Sequence, residues 1–216
     1  MPKQENNLIS RRALIRAAAG AACLSAAGCI TPMPGMFFIR PPGVPFDPTP
    51  MDVVSAMLRL ADLKTWDTVF DLGCGDGRIV MAAARFYGVR GVCVDVDRYL
   101  IYEGRENARV NNLFDKVFFL NQDMFETDLG DATVVMLYLS REMNLALRPK
   151  LKRELRPGSR IVSHMHDMGD WEPREVVKVT SGGQERPIYL WVIDGAPDKV
   201  IAEAKTEQRE LESLTQ

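Results

Sequence analysis

The sequence predicts an α/β domain: a doubly wound, seven-stranded, mostly parallel sheet whose C-terminal edge is an antiparallel hairpin. Three observations predict it. Short apolar runs alternate with helical periodicities between residues 49 and 164, the pattern of strands joined by crossover helices. One of those runs ends in a glycine-rich turn that opens a helix. Two strand-like runs then meet across Ser181-Gly182-Gly183 with no helix between them, which makes that edge antiparallel. At 216 residues the chain holds one core and has no room for two.

The elements follow in order. Residues 1–30 read as a leader rather than as part of the fold. A polar start gives way to Ser10-Arg11-Arg12-Ala13-Leu14-Ile15-Arg16, an Ala-rich run to Ala27, and Gly28-Cys29. This resembles a twin-arginine export signal. Ala26-Ala27-Gly28 ahead of Cys29 resembles a lipobox, in which a lipidated Cys29 would attach the chain to a membrane. The expected location is therefore periplasmic or membrane-attached. The alternative is a cytoplasmic protein whose N-terminus is a basic amphipathic helix. Residues 31–48 form a proline-rich arm that stiffens the approach to the domain.

The domain spans 49–195. Thr49 is expected to cap a helix that has Pro50 at its first position and an apolar face of Val53, Val54, Met57, Leu58 and Ala61. Val69–Leu72 reads as a buried strand and about Asp76–Tyr87 as a helix. Val89–Asp95 is a strand, Tyr99–Val110 a helix, Val117–Leu120 a strand and Ala132–Leu139 another. Glu142–Leu155 is a helix closed by Pro157-Gly158, and Arg160–His164 is the fifth strand. Glu175–Thr180 and Pro187–Ile193 make the hairpin. Residues 196–216 read as a charged helical tail.

Composition narrows the function. Hydrophobic residues at 46% and charged residues at 26% are ordinary globular values. The leader's Lys3, Arg11, Arg12 and Arg16 stand against Glu5, so the rest of the chain has 23 basic and 28 acidic residues, a net of −5. Nucleic acid is therefore not the expected partner, because its binders need surplus cations to displace counterions. Of four cysteines, Cys23 and Cys29 lie in the leader. Cys74 and Cys93 lie in a turn and a strand, so the domain is expected to do without disulfides. No Cys/His spacing suits zinc, and no metal site is expected.

The chemistry concentrates in Val69-Phe70-Asp71-Leu72-Gly73-Cys74-Gly75-Asp76-Gly77-Arg78. Gly73, Gly75 and Gly77 let backbone approach a ligand closely. A dinucleotide site would want GxGxxG with phosphate on the helix N-terminus. Here Asp71 and Asp76 stand beside the ligand instead, and carboxylates repel phosphate but attract cations. S-adenosylmethionine, with a sulfonium and an α-ammonium, matches. Asp95 lies 22 residues after Gly73, the spacing at which an acid accepts ribose hydroxyls. Asp123 is placed for the adenine amine, with Met124 packing on the ring. The alternative is that Asp95 and Asp123 cap the helices after them.

From Val44 to about Ile193 the chain resembles the seven-strand, Rossmann-like class I methyltransferases. Within them it is similar to the small protein-lysine methyltransferases that include the ATP synthase c-subunit lysine methyltransferase. The matching pieces are Pro45-Phe46-Asp47-Pro48-Thr49-Pro50, the glycine motif, Leu137-Tyr138-Leu139, Asn144-Leu145, Leu147-Arg148-Pro149-Lys150-Leu151, Ser163-His164 and Asp167-Met168-Gly169-Asp170-Trp171. The resemblance implies methyl transfer to a protein lysine. It also implies that the carboxyl ends of the fourth and fifth strands face the acceptor.

Tyr138, His164 and Asp167 are therefore the catalytic candidates. Tyr138 and Asp167 would orient the amine and His164 would accept its proton. His166 reads as solvated, and Trp171 either as a wall for the lysine stem or as a core residue covered by a loop. The plainer alternatives are a Tyr138 that fills the sheet edge and a His164 that is a satisfied strand-end histidine. Leu137-Tyr138-Leu139-Ser140 stands where DNA amino-methyltransferases carry Asp-Pro-Pro-Tyr, which argues against base flipping. Other readings are a small-molecule N- or O-methyltransferase, a nicotinamide oxidoreductase, or an exported non-catalytic protein on the same fold. A monomer is expected.

Overall fold

The computed structural model of the chain describes residues 46–194. The leader, most of the arm and the tail lie outside the described residues, and with them the export, lipidation and helical-tail expectations. The alternation becomes α1 (Met51–Leu60), β1 (Thr68–Leu72), α2 (Arg78–Tyr87), β2 (Arg90–Asp95), α3 (Arg98–Val110) and β3 (Val117–Asn121). It continues as β4 (Val134–Leu137), α4 (Arg141–Glu154), β5 (Arg160–His164), β6 (Glu175–Ser181) and β7 (Gln184–Val192). The sheet order is β3-β2-β1-β4-β5-β7-β6. β1 to β5 run parallel, and β7 is antiparallel to both β5 and β6. The chain winds outward from β1 to β3 and returns to β4 on β1's other flank, so a crevice opens at the carboxyl ends of β1 and β4.

Two apolar layers hold the sheet. On one face Val53, Val54 and Met57 of α1 join Ile79, Val80 and Ala83 of α2 against Val69, Cys93, Met136 and Val162. On the other, Leu147 and Leu151 of α4 pack on Leu72, Val135, Leu137, Ile161 and Trp191. Strands β1 and β4 are buried along both faces, which is why they read as unbroken apolar runs rather than as alternation. Each fully buried aliphatic side chain contributes about 1.5–3 kcal/mol.

Four local departures have physical causes. Thr49 does not cap α1. The cap position is Pro50, without a side-chain bond, and the Thr49 carbonyl accepts from Arg78 instead. Helix α2 starts at Arg78 rather than Asp76, because Gly77 takes a left-handed conformation and the Asp76 carboxylate turns to Arg78. Strand β4 stops at Leu137, which releases Tyr138 from the ladder. Strand β7 starts at Gln184 and contains Pro187; the β5 ladder ends at the His164–Ile188 pair, so Pro187 has one flank where no ladder N–H is needed.

The cysteine expectation is corrected. Cys74 and Cys93 form a disulfide, with Cα atoms 5.3 Å apart. Asp71 pairs with Cys93 across β1 and β2, and the turn after β1 bends back so that Gly73 and Cys74 both donate to the Val94 carbonyl, at 2.8 and 3.1 Å. That bend carries Cys74 over Cys93.

Candidate active site at the carboxyl ends of the strands

A cavity of about 650 Å³ opens over the ends of β1, β2 and β4. Its floor is the glycine turn. Gly75 donates its N–H to Asp95 Oδ2 at 2.8 Å, and Asp95 Oδ1 accepts from Asp97 N at 2.8 Å. Asp95 thus braces the loop, whereas Asp97 caps α3 by accepting from Tyr99 N at 2.9 Å. The helix-cap alternative for Asp95 falls to its neighbour.

Gly75 has φ of +56°, and a Cβ there would collide with the Phe46 ring, so Phe46 closes directly over the turn. At Gly77 a Cβ would lie 2.6 Å from Phe119. Gly77 is needed for packing behind the loop and is not among the residues lining the cavity. The other cofactor candidates, Asp71, Gly73, Gly75, Asp76, Asp95, Asp123 and Met124, all line it.

The acids differ in their engagement. Asp76 accepts from Arg78 through both oxygens. Asp123 Oδ1 accepts from Phe125 N at 2.9 Å, a local turn rather than a helix cap. Asp71 is 2% exposed and its Oδ2 has no partner. Burial pushes its carboxyl well above the ordinary range, and Asp95 and Asp76 add to the shift. A buried acid that resists ionisation alone and has an open oxygen is helped to ionise by a cationic ligand and is opposed by a pyrophosphate. These residues fit S-adenosylmethionine.

On the acceptor side, Tyr138 lines the same cavity and donates its hydroxyl to Asp47 Oδ2 at 2.6 Å. Burial raises the phenol above its usual value, the Asp47 hydrogen bond adds to this, and the positive charge of Arg186 opposes it. The phenol therefore keeps its proton. His164 packs against Tyr138 with ring centroids 4.1 Å apart and the planes tilted by 36°. It is wholly buried, and neither ring nitrogen has a partner. Burial and then Arg186 lower its pKa to about 4, so it is neutral, and it does not line the cavity.

His166, expected to be solvated, lines the cavity. Asp167 does not join Tyr138: its Oδ1 accepts from Arg141 Nε at 3.1 Å and from Gly169 N at 2.8 Å. Asn144 of α4 donates to Ser163 Oγ and to the His166 carbonyl, both at 3.0 Å. The turn after β5 is thereby tied to α4, which keeps Asp167 with Arg141. Asp47 and Arg186 were not among the sequence candidates. Asp47 could have been found through the Pro45–Pro50 piece, but nothing in the sequence marks Arg186, because only the β6–β7 register brings it to Tyr138.

A sheet of this order with a cation-fitting cavity at the β1/β4 reversal defines a class I methyltransferase that uses S-adenosylmethionine as its cofactor. The profile of the ANTKMT methyltransferase domain matches residues 71–175. A protein-lysine N-methyltransferase from Saccharolobus islandicus (strain REY15A) is 41% identical over 153 residues, covering 70% of this chain and 95% of that protein. The chain belongs to the family of that enzyme. The adenine nucleotide translocase lysine N-methyltransferase of Mus musculus is 30% identical over 148 residues, and the match covers 63% of this chain and 62% of that protein. The crystal structure of an RNA methyltransferase from Salinibacter ruber, in complex with S-adenosyl-L-homocysteine, is 43% identical with a TM-score of 0.66, covering 70% of this chain and 97% of that one.

Proposed function

We propose that the protein transfers a methyl group from S-adenosylmethionine to a lysine side chain of a protein. The observation that carries this is the Tyr138–Asp47 pair, which places hydrogen-bond acceptors for an amine in the cavity that holds the cofactor residues. When bound, the cofactor supplies a methyl group on a sulfonium, so the leaving group is already activated. The chain's own task is to place and desolvate the acceptor. Lysine is neutral to only about 1 part in 2,500 at pH 7, so the site must receive an ammonium and present an amine. Tyr138 is suited to the second duty, because its oxygen accepts an N–H while its proton is committed to Asp47.

The Saccharolobus and mouse relatives are named for lysine, and the Salinibacter protein for RNA. The acidic balance of the chain outside its leader favours a protein acceptor. Incubating the full chain with labelled S-adenosylmethionine and cell lysate, followed by nuclease or protease digestion and peptide mass analysis, tests the reading. Label on lysine is the expected result. Label on RNA, on arginine or on a small molecule would overturn it.

We also propose that the chain is exported through the twin-arginine route. Arg11-Arg12 supports it, and so does the Cys74–Cys93 disulfide, since such bonds persist in oxidising compartments. Fractionation of cells expressing the full chain should find it outside the cytoplasm. Replacing Arg11 and Arg12 by Lys should retain it inside; equal distribution of the two forms would refute export by this route.

A further inference from the structure

Two charged residues from opposite ends of the domain converge on one phenol. Asp47 precedes α1, and Arg186 lies in β7 opposite Val179. The Tyr138 hydroxyl has one proton and two lone pairs. Its proton goes to Asp47 Oδ2, which leaves the lone pairs to accept, and the Arg186 charge acts on the same hydroxyl. The oxygen can therefore accept a substrate N–H. Asp47 is exposed and lines the cavity, with Oδ2 committed to Tyr138 and Oδ1 left for an incoming group.

Arg186 forms no ion pair among the described residues, and its Nε is buried without a partner. The charged and titratable groups around it are Asp52 of α1, Tyr138 after β4 and His164 of β5. Asp52 is itself held by Ser181 Oγ at 2.9 Å. The guanidinium thus leaves its charge unpaired by a close carboxylate, and that charge acts on the phenol.

We infer that Asp47 is a further catalytic residue, the carboxylate that receives the acceptor's ammonium at the cavity mouth, and that Arg186 is a positioning residue that holds the Tyr138 proton on Asp47. This rests on the lysine reading above. The ammonium docks on Asp47, loses one proton to water at the open mouth, and the neutral amine donates an N–H to the Tyr138 oxygen. With Arg186 and Asp47 fixing that oxygen, the nitrogen lone pair is turned away from Tyr138 and into the cavity.

The test uses the full chain, a lysine peptide (acetyl-Ala-Lys-Ala-amide), its norleucine counterpart, and labelled lysate protein as a second acceptor. Asp47→Asn should raise KM for the lysine acceptors by about tenfold or more, the scale of a lost charged hydrogen bond. Calorimetric affinity for S-adenosyl-L-homocysteine should stay unchanged. The binding preference of the S-adenosyl-L-homocysteine-loaded protein for the lysine over the norleucine peptide should disappear. Arg186→Met should lower kcat by about tenfold or more through misplacement of the phenol with KM little changed, and Arg186→Lys should recover much of the loss.

Unchanged KM and unchanged peptide preference in Asp47→Asn would overturn the inference, as would an equal loss of cofactor-product affinity, which would make Asp47 a strap for the arm alone. Arg186→Met that lowers melting temperature and kcat together, without rescue by Lys, would overturn the positioning role. If the wild-type chain methylates no lysine on either acceptor, the lysine reading itself falls and this inference with it. Methylation by the wild type with Asp47→Asn kinetically identical removes the inference alone.

Discussion

Removing the Cys74–Cys93 bond should separate what the disulfide does for stability from what it does for the cofactor loop. The two cysteines are 19 residues apart in sequence. On the chain-entropy relation, closing a loop of that length removes about 3 kcal/mol of freedom from the unfolded state. For a domain of this size, 1 kcal/mol shifts the melting temperature by about 4 °C, so the loss should be roughly 10 °C. Both sulfurs are buried, Cys74 6% and Cys93 0% exposed, so the cleanest perturbation is Cys74→Ala with Cys93→Ala, compared with the oxidised full chain by calorimetry. Affinity for S-adenosyl-L-homocysteine should fall far less than stability. The loop keeps its bonds from Gly73 and Cys74 to Val94 and from Gly75 to Asp95, and these survive the substitution. A double variant that melts with the oxidised protein would refute the disulfide's role in stability. One that melts normally yet loses the ligand would show that the bond shapes the loop.

Four further outcomes are expected. Asp95→Ala should weaken S-adenosylmethionine binding by about 2–3 kcal/mol, since it removes a charged acceptor and the brace on Gly75; unchanged calorimetric affinity would sink this assignment. Gly75→Val should displace Phe46 from the turn and depress cofactor affinity, because a Cβ alone already collides with that ring; normal binding by a folded variant would contradict the packing. His164 has a folded pKa of about 4 against an ordinary 6.5, so between those values the unfolded chain takes up a proton that the folded one refuses. Stability is fully present above pH 6.5 and is lost as pH falls towards 4, by up to about 3 kcal/mol, and His164→Phe should flatten that part of a denaturation-versus-pH curve. Tyr138→Phe should lower turnover while leaving cofactor affinity intact; equal turnover would reduce Tyr138 to packing on His164.

The fold and the gathering of the cofactor candidates around one cavity were legible in the sequence because both are local. A strand buried on both faces must be continuously apolar, as Val69–Leu72 and Val134–Leu137 are, and a chain that bends tightly beside a ligand must use glycine at left-handed positions. Acids at successive strand ends, Asp71, Asp95 and Asp123, share one edge automatically once the strands are parallel, since parallel strands all end on the same side. The position of Asp95 could be read from spacing alone for that reason. Its role as a brace for Gly75 could not.

The acceptor half depended on distances that no local pattern encodes. Tyr138 meets Asp47 from an arm 91 residues away in sequence. Arg186 arrives only through the antiparallel register of β6 and β7, where a one-residue slip would send it to the other face. Asp167 looked equivalent to Tyr138 as a strand-end acid, yet Asn144 ties its turn to α4 and Arg141 takes its carboxylate. Cys74 and Cys93 looked unrelated until the bend after β1 laid one over the other. Periodicity and spacing state which face or end of an element a residue occupies. Which residues of different elements touch is decided by crossing, register and turn geometry, and these are properties of the packed chain as a whole.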